Sequence, residues 1–130
     1  MLDFSATIVR VDSPPLAPLA PGEQAIDIAH LSRMTLGDHA LECEVLNLFL
    51  RQADMLLARM KGAPPANIAA MAHTLKGSAR GIGAWRVAHA TEAVELAAKA
   101  TGNDLNAAVN TLAAMVEEAR ALIVDALGVD

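Results

Sequence analysis

The chain has 130 residues, of which 54% are hydrophobic, 19% are charged and 2% are aromatic. This length fits one domain with a single core that needs no metal or disulfide to hold it together, and the apolar content excludes a wholly disordered chain. Alanine supplies 28 residues and tyrosine none, which favours helices and argues against an all-β fold.

The formal net charge is −5, and no block of lysine and arginine is present. A nucleic-acid-binding protein normally presents a basic face, so nucleic acid is not an expected partner. The single cysteine, Cys43, allows neither an internal disulfide nor a cysteine-based zinc site, and it suits a reducing compartment. The N-terminus lacks the pattern of a signal peptide, and no apolar run approaches the ~18 residues of a membrane span. We therefore expect a cytoplasmic protein without membrane contact.

The first 22 residues differ from the rest, because four prolines between positions 14 and 21 disfavour helix and predict an extended segment. We predict a tail over residues 1–22 and one helical domain over residues 23–130. Gly37 and Asp38 are typical of a helix end followed by an N-cap. The predicted helices cover residues 23–35, 39–61, 66–80, 84–100 and 105–127.

Four long amphipathic helices with short connections predict an all-α antiparallel four-helix bundle, with an additional short helix before it and the extended Pro-rich tail. The second helix carries apolar or partly apolar residues at three- and four-residue spacings, which are Leu41, Val45, Leu48, Phe49, Gln52, Leu56 and Met60. The last helix carries a similar stripe, which consists of Leu105, Ala108, Leu112, Met115, Ala119, Leu122 and Ala126.

The third helix carries a histidine on its outer face. An α-helix turns by about 100° per residue, which places four apolar residues of this helix in nearly the same direction: Ile68, Met71, Leu75 and Ile82. This direction is the predicted core face, and His73 points the opposite way. An exposed imidazole has a pKa near ~6.5 and is mostly the neutral nucleophile at cytoplasmic pH. The sequence therefore predicts an accessible nitrogen nucleophile at His73.

Small and cationic residues surround this histidine. Gly77, one turn after His73, weakens the helix by about 0.5–1 kcal/mol relative to alanine, and access for the backbone of a second protein is a physical reason to accept that cost. Lys76 and Arg80 lie on the C-terminal side of the same face, where they could partly neutralise a phosphoryl group on the ring.

The run AHTLKGSARGIGA, residues 72–84, closely resembles the signature of the histidine phosphotransfer (HPt) domains of bacterial phosphorelays. The resemblance extends over about residues 26–127. It implies that His73 carries the phosphoryl group and that Lys76 and Gly77 match the family's lysine and glycine. It also implies that Glu95, 22 positions after the histidine, hydrogen-bonds and orients the ring. Gly81 departs from the pattern, since the family often has asparagine there.

The resemblance implies a phosphorelay intermediate in which His73 accepts a phosphoryl group from a receiver-domain phosphoaspartate and passes it to another receiver aspartate. Such a protein is a phosphotransfer protein rather than a true catalyst, and this chain has no ATP-binding or kinase domain of its own. The implied partners are response-regulator receiver domains, with a hybrid histidine kinase as a further candidate. The resemblance also implies a monomer that binds no cofactor itself, with Mg²⁺ on the receiver.

Three other hypotheses of function are compatible with the sequence alone. A helical adaptor that binds a receiver or kinase without transfer needs the same outer face but no ring chemistry. A self-phosphorylating kinase fragment needs an ATP-binding domain that the chain lacks. A metal-dependent bundle is a weak hypothesis that depends on the pairs Asp27 with His30 and His89 with Glu92, each three residues apart.

Overall fold

A computed structural model describes residues 24–100 and 104–127. These residues are all-helical, with no strand among them, as the composition predicts. The helices are α1 (Ile28–Thr35), α2 (His39–Met60), α3 (Pro65–Ile82), α4 (Trp85–Lys99) and α5 (Asp104–Leu127). The tail proposed for residues 1–22 lies outside the described residues, and the domain boundary at 23 stays a prediction.

Local capping chemistry sets several of the helix ends. Asp38 caps α2 by accepting a hydrogen bond from the backbone N–H of Leu41, as the Gly-Asp pair predicts. Pro65 occupies the first turn of α3, where a missing N–H costs nothing. Helix α3 ends at Gly83, whose φ of 82° is a left-handed conformation that favours glycine.

Helix α1 begins at Ile28, five residues after the start predicted from the sequence. Residues 24–27 are irregular instead, because Asp27 acts as the N-cap of α1 and its own N–H donates to the carbonyl of Gly83 at 2.8 Å. This contact fixes the entrance to α1 against the turn between α3 and α4.

Helices α2 to α5 form a closed bundle in which each helix packs on the next and α5 returns to α2. Cross-helix contacts give the directions: His73 and Arg80 of α3 meet Glu95 and Glu92 of α4 respectively. The later residue of α3 contacts the earlier residue of α4, so the two helices are antiparallel. No described helix is long and apolar enough to span a membrane.

The core lies where all four long helices meet, and the stripe predicted for α2 is only partly in it. Phe49, Leu56 and Met60 are buried as predicted. Leu46, Leu50 and Ala53 are buried, whereas Leu41 and Leu48 of the predicted stripe are exposed. Apolar residues cover more than half of the circumference of α2, so spacing alone does not determine which part of this wide face lies in the core. In α5, Leu112 and Ala119 of the predicted stripe are buried, and the core also includes Val116 and Ile123, which lie beside the stripe.

Trp85 packs the end of the bundle. Its Nε1 donates to Asp27 Oδ2 at 3.0 Å, and its ring meets the His30 ring edge-on, with centroids 5.1 Å apart. His30 Nε2 donates to the carbonyl of Gly81 at 3.1 Å. The pKa of Asp27 is lowered mainly by the hydrogen bond from Trp85 and then by that from the His30 backbone. These contacts fix α1 against the connection that joins α3 to α4.

Candidate functional site

His73 stands on the outer face of α3. Its side chain is 71% exposed, while its neighbours Ala72 and Leu75 on the other side of the helix are fully buried. The core therefore holds α3 in one rotation about its axis, and that rotation presents the imidazole to solvent. The wheel drawn from the sequence predicts this orientation, and Ile68 and Ile82 lie in the core as expected.

Glu95 of α4 reaches the ring from the side. Its Oε2 lies 3.1 Å from His73 Nδ1, which is the contact that the family resemblance implies. The Glu95 side chain is 18% exposed, so packing restricts its position. Because an ionised carboxylate can only accept hydrogen bonds, Nδ1 of the neutral ring carries the proton. The other ring nitrogen, Nε2, then keeps its lone pair on the exposed side of the imidazole.

Lys76 binds the second oxygen of the same carboxylate. Its Nζ donates to Glu95 Oε1 at 2.8 Å. This hydrogen bond is the largest cause that lowers the pKa of Glu95, and the bond to His73 adds to the effect, whereas burial opposes it. The contact described for Lys76 is therefore with Glu95, and its expected contact with a phosphoryl group on the ring stays a prediction.

Gly77 leaves the surface beside His73 open. A Cβ built at this position meets nothing within 4 Å, and the residue is exposed. The glycine is therefore not required by packing between helices or by backbone conformation. What the glycine provides is a surface without a side chain, one helical turn from the imidazole.

Arg80 lies on the same face, but it does not contact His73. Its guanidinium donates to Glu92 Oε2 of α4 at 2.6 Å, and both side chains are substantially exposed. Glu92 was not predicted as the partner of Arg80. Arg80 lies three residues before Gly83 and Glu92 eight residues after Ala84, so equal distance from the turn does not predict this pair, and the long arginine side chain makes the contact.

The pairs considered for a metal have other partners. Asp27 and His30 are engaged at the end of the bundle with Trp85 and Gly81, and Glu92 binds Arg80. Within residues 24–100 and 104–127, no group of three or more His, Cys, Asp or Glu side chains could hold a metal ion. The described geometry therefore gives no support to the metal-dependent bundle.

The site combines an exposed ring nitrogen with a fixed proton on the opposite nitrogen. The second nitrogen is suited to attack an electrophile brought by another molecule, because the described residues leave most of the His73 side chain exposed. Glu95 can stabilise positive charge that develops on the ring during such an attack. This chemistry is nucleophilic transfer of a group rather than hydrolysis in an enclosed pocket.

Of three comparisons with known proteins, one gives a match. Neither the curated proteins nor the solved structures give a match. The family model of the Hpt domain matches residues 44–122, which is more than half of the chain. The matched region runs from the first turns of α2 well into α5 and includes the full set of candidate site residues: His73, Lys76, Gly77, Arg80 and Glu95. The chain therefore belongs to the Hpt domain family, the histidine phosphotransfer domains of phosphorelays.

Proposed function

We propose that this protein is a phosphorelay intermediate that carries a phosphoryl group on His73 between the aspartates of two receiver domains. The observation that carries the proposal is the hydrogen bond from Nδ1 to Glu95 on a ring that is 71% exposed. One nitrogen is held by the protein, and the other faces the solvent from which a receiver would approach.

In the accepting step, the lone pair of Nε2 attacks the phosphorus of the receiver's aspartyl phosphate. A P–N bond forms, and the P–O bond to the aspartyl oxygen breaks with its electron pair returning to the carboxylate. Nδ1 keeps its proton, so the phosphorylated ring is an imidazolium, and the Glu95 carboxylate stabilises its positive charge. Mg²⁺ is expected on the receiver, where it would neutralise charge on the transferring group.

In the donating step, a carboxylate oxygen of the second receiver attacks the phosphorus and the P–N bond breaks. The ring leaves as a neutral imidazole because Nδ1 has retained its proton. A neutral leaving group departs readily, so the same hydrogen bond from Nδ1 to Glu95 serves both steps. The direction of flow is then set by the receivers and not by this chain.

Lys76 is a positioning residue in this proposal. Its ammonium holds Glu95 by Oε1 and favours the ionised carboxylate, which in turn fixes the proton on Nδ1. Gly77 provides the open surface on which a receiver can bring its backbone close to the ring. Arg80 lies farther along the same face, where a docked acidic partner would compete with Glu92 for the guanidinium.

The cytoplasm is the compartment that we propose for this relay. Cys43 is a free thiol in the described structure, which suits a reducing environment.

The hybrid histidine kinase is a partner only through a receiver domain of its own, because the proposed chemistry needs a phosphoaspartate donor.

A transfer assay tests the proposal. Phosphorylated receivers from the same cell should label the protein, and the label should be lost in acid. His73→Gln should abolish labelling, whereas His89→Gln, which removes an exposed histidine of α4, should be labelled like the parent. Equal labelling of His73→Gln and the parent would refute the proposal. Receiver binding by both, without labelling of either, would indicate the non-transferring adaptor instead, and labelling by ATP alone would indicate a kinase.

A further inference from the structure

Helix α2 carries a mainly apolar stripe along the edge of the bundle, and only Val45 of this stripe packs partly against the core. Leu41, Leu48 and Met55 are 40%, 55% and 44% exposed, and they follow one another at intervals of seven residues. Val45 and Gln52 lie between them and are partly exposed. The five positions alternate at spacings of four and three residues, and we refer to them as the α2 stripe.

This spacing is that of a helix that packs along another helix. Apolar residues at alternating intervals of three and four form the seam of a coiled coil. The core face of α2 adjoins the stripe: Phe49, Ala53 and Leu56 are buried, whereas Leu41, Leu48 and Met55 are exposed. Within the described residues, the stripe thus has the pattern of a helix contact without the helix that would cover it.

A groove beside the stripe gives a second helix a place to insert side chains. Val45, Leu48, Phe49 and Gln52 of α2 line it on one side, and Ser78 and Ile82 of α3 line the other. Leu48 is the most exposed member of the stripe and stands at its centre. A leucine presented by a facing helix could therefore pack against Leu48 and into the groove next to it.

We propose that the stripe binds the α2 stripe of a second copy of this chain, with the two helices antiparallel and Leu48 at the two-fold axis. A symmetric dimer requires a self-complementary surface. Leu41 and Met55 lie seven residues on either side of Leu48, so the axis brings each one to the other in the facing copy.

The charges that flank the stripe match the same arrangement. Glu44 lies four residues before Leu48 and Arg51 three residues after it, both are exposed, and both project to the same side of the stripe. The two-fold axis therefore places Glu44 of one copy near Arg51 of the other. A parallel two-fold pair would place Glu44 of one copy and Arg51 of the other on opposite sides of the seam, so these charges would not pair.

The association should be reversible and dependent on concentration. A stable interface usually buries ~800 Å² on each partner, and one stripe of five positions supplies less than this. The proposal departs from the monomer that the family resemblance implies. It does not depend on phosphotransfer, so His73→Gln should self-associate like the parent protein.

Analytical ultracentrifugation of the full chain over a range of concentrations tests the proposal. We expect a monomer–dimer equilibrium that Leu48→Glu weakens at least tenfold. Leu96→Glu is the matched control, because Leu96 is a leucine of α4 that is 70% exposed and lies outside the stripe. Glu44→Arg should weaken the dimer, and the double variant with Arg51→Glu should restore it.

Cysteine cross-linking tests the antiparallel arrangement. In a Cys43→Ser background, Leu48→Cys should form a disulfide-linked dimer on mild oxidation, and Leu41→Cys should not. Cross-linking of both would indicate a parallel pair and overturn the arrangement. A protein that stays monomeric at every concentration would overturn the proposal. If Leu48→Glu also blocked labelling of that monomer by phosphorylated receivers, the stripe would be a receiver-docking surface.

Discussion

Substitution of Gly77 should change stability and phosphotransfer in opposite directions. The position is helical, and a Cβ there meets no atom within 4 Å, so alanine adds no clash. Alanine in place of a glycine within a helix stabilises the folded state by about 0.5–1 kcal/mol. For a domain of this size, that corresponds to a rise in Tm of about 2–5 °C. Gly77→Ala should therefore unfold at a higher temperature than the parent protein.

The expected effect on transfer comes from access to the ring. Gly77→Gln extends a neutral side chain over the surface one turn from His73, where a receiver must bring its phosphoaspartate within reach of Nε2. Because small displacements of reacting groups cost large factors in rate, the initial rate of His73 labelling should fall roughly 10-fold to 100-fold. A neutral side chain isolates the steric effect from charge repulsion.

Two other glycines of the same segment serve as controls. Gly81 also has open space around its Cβ position, so Gly81→Ala should give a smaller gain in Tm near the end of α3 and leave transfer unchanged. Gly83 has a φ of 82°, and its Cβ would lie 3.0 Å from Asp27, so Gly83→Ala should lower Tm. Transfer to Gly77→Gln at the parental rate would refute the role of Gly77 in access.

Three further predictions concern protons at the two described carboxylate sites. Lys76→Met should slow His73 labelling and move the acid limb of the pH–rate profile to higher pH, because Glu95 loses the hydrogen bond that lowers its pKa most. Lys99→Met is the control, and an unchanged profile for Lys76→Met would remove Lys76 from the site. The folded state favours ionised Glu95, so the carboxylate stabilises the protein above its ordinary pKa of 4.5, and this contribution is lost as pH falls through the lower pKa of the folded state. In denaturant titrations, the free energy of unfolding of Glu95→Gln should fall less at acid pH than that of the parent. Equal falls would contradict the lowered pKa of Glu95. Trp85→Phe should raise the pKa of Asp27 towards 3.8 in an NMR titration, because the largest lowering contact is removed; no change would mean that Trp85 does not set that pKa.

The long helices were predictable from the sequence, because their ends are marked by residues with specific backbone chemistry. Asp38, Pro65 and Gly83 act at helix ends wherever the chain is folded, so the predicted bounds of α2 to α5 agree with the structure to within two residues. The start of α1 was not predictable in this way. It depends on the contact between Asp27 and the Gly83 carbonyl, which only the folded chain brings together.

The orientation of helices was predictable only where polar and apolar faces are distinct. Helix α3 has a clear polar face, and His73 lies where the wheel places it. The apolar face of α2 is wider than the surface that the core covers, so Leu48 was assigned to the core stripe together with Phe49 and is in fact exposed. The proximity of Glu95 was available from the family resemblance, but the contact from Lys76 to Glu95 depends on side-chain directions that spacing does not determine.

The connection between α3 and α4 consists of only Gly83 and Ala84, and this brevity constrains how the gene can change. His73 lies ten residues before Gly83, and Glu95 lies eleven residues after Ala84. The two residues are therefore nearly equally far from the turn, and this places them side by side. One inserted residue that lengthened the start of α4 would turn that helix by about 100° and move it by ~1.5 Å, which would carry the carboxylate away from the imidazole. We therefore expect insertions and deletions among descendants of this sequence to accumulate in the α2–α3 and α4–α5 connections and to be purged from this one.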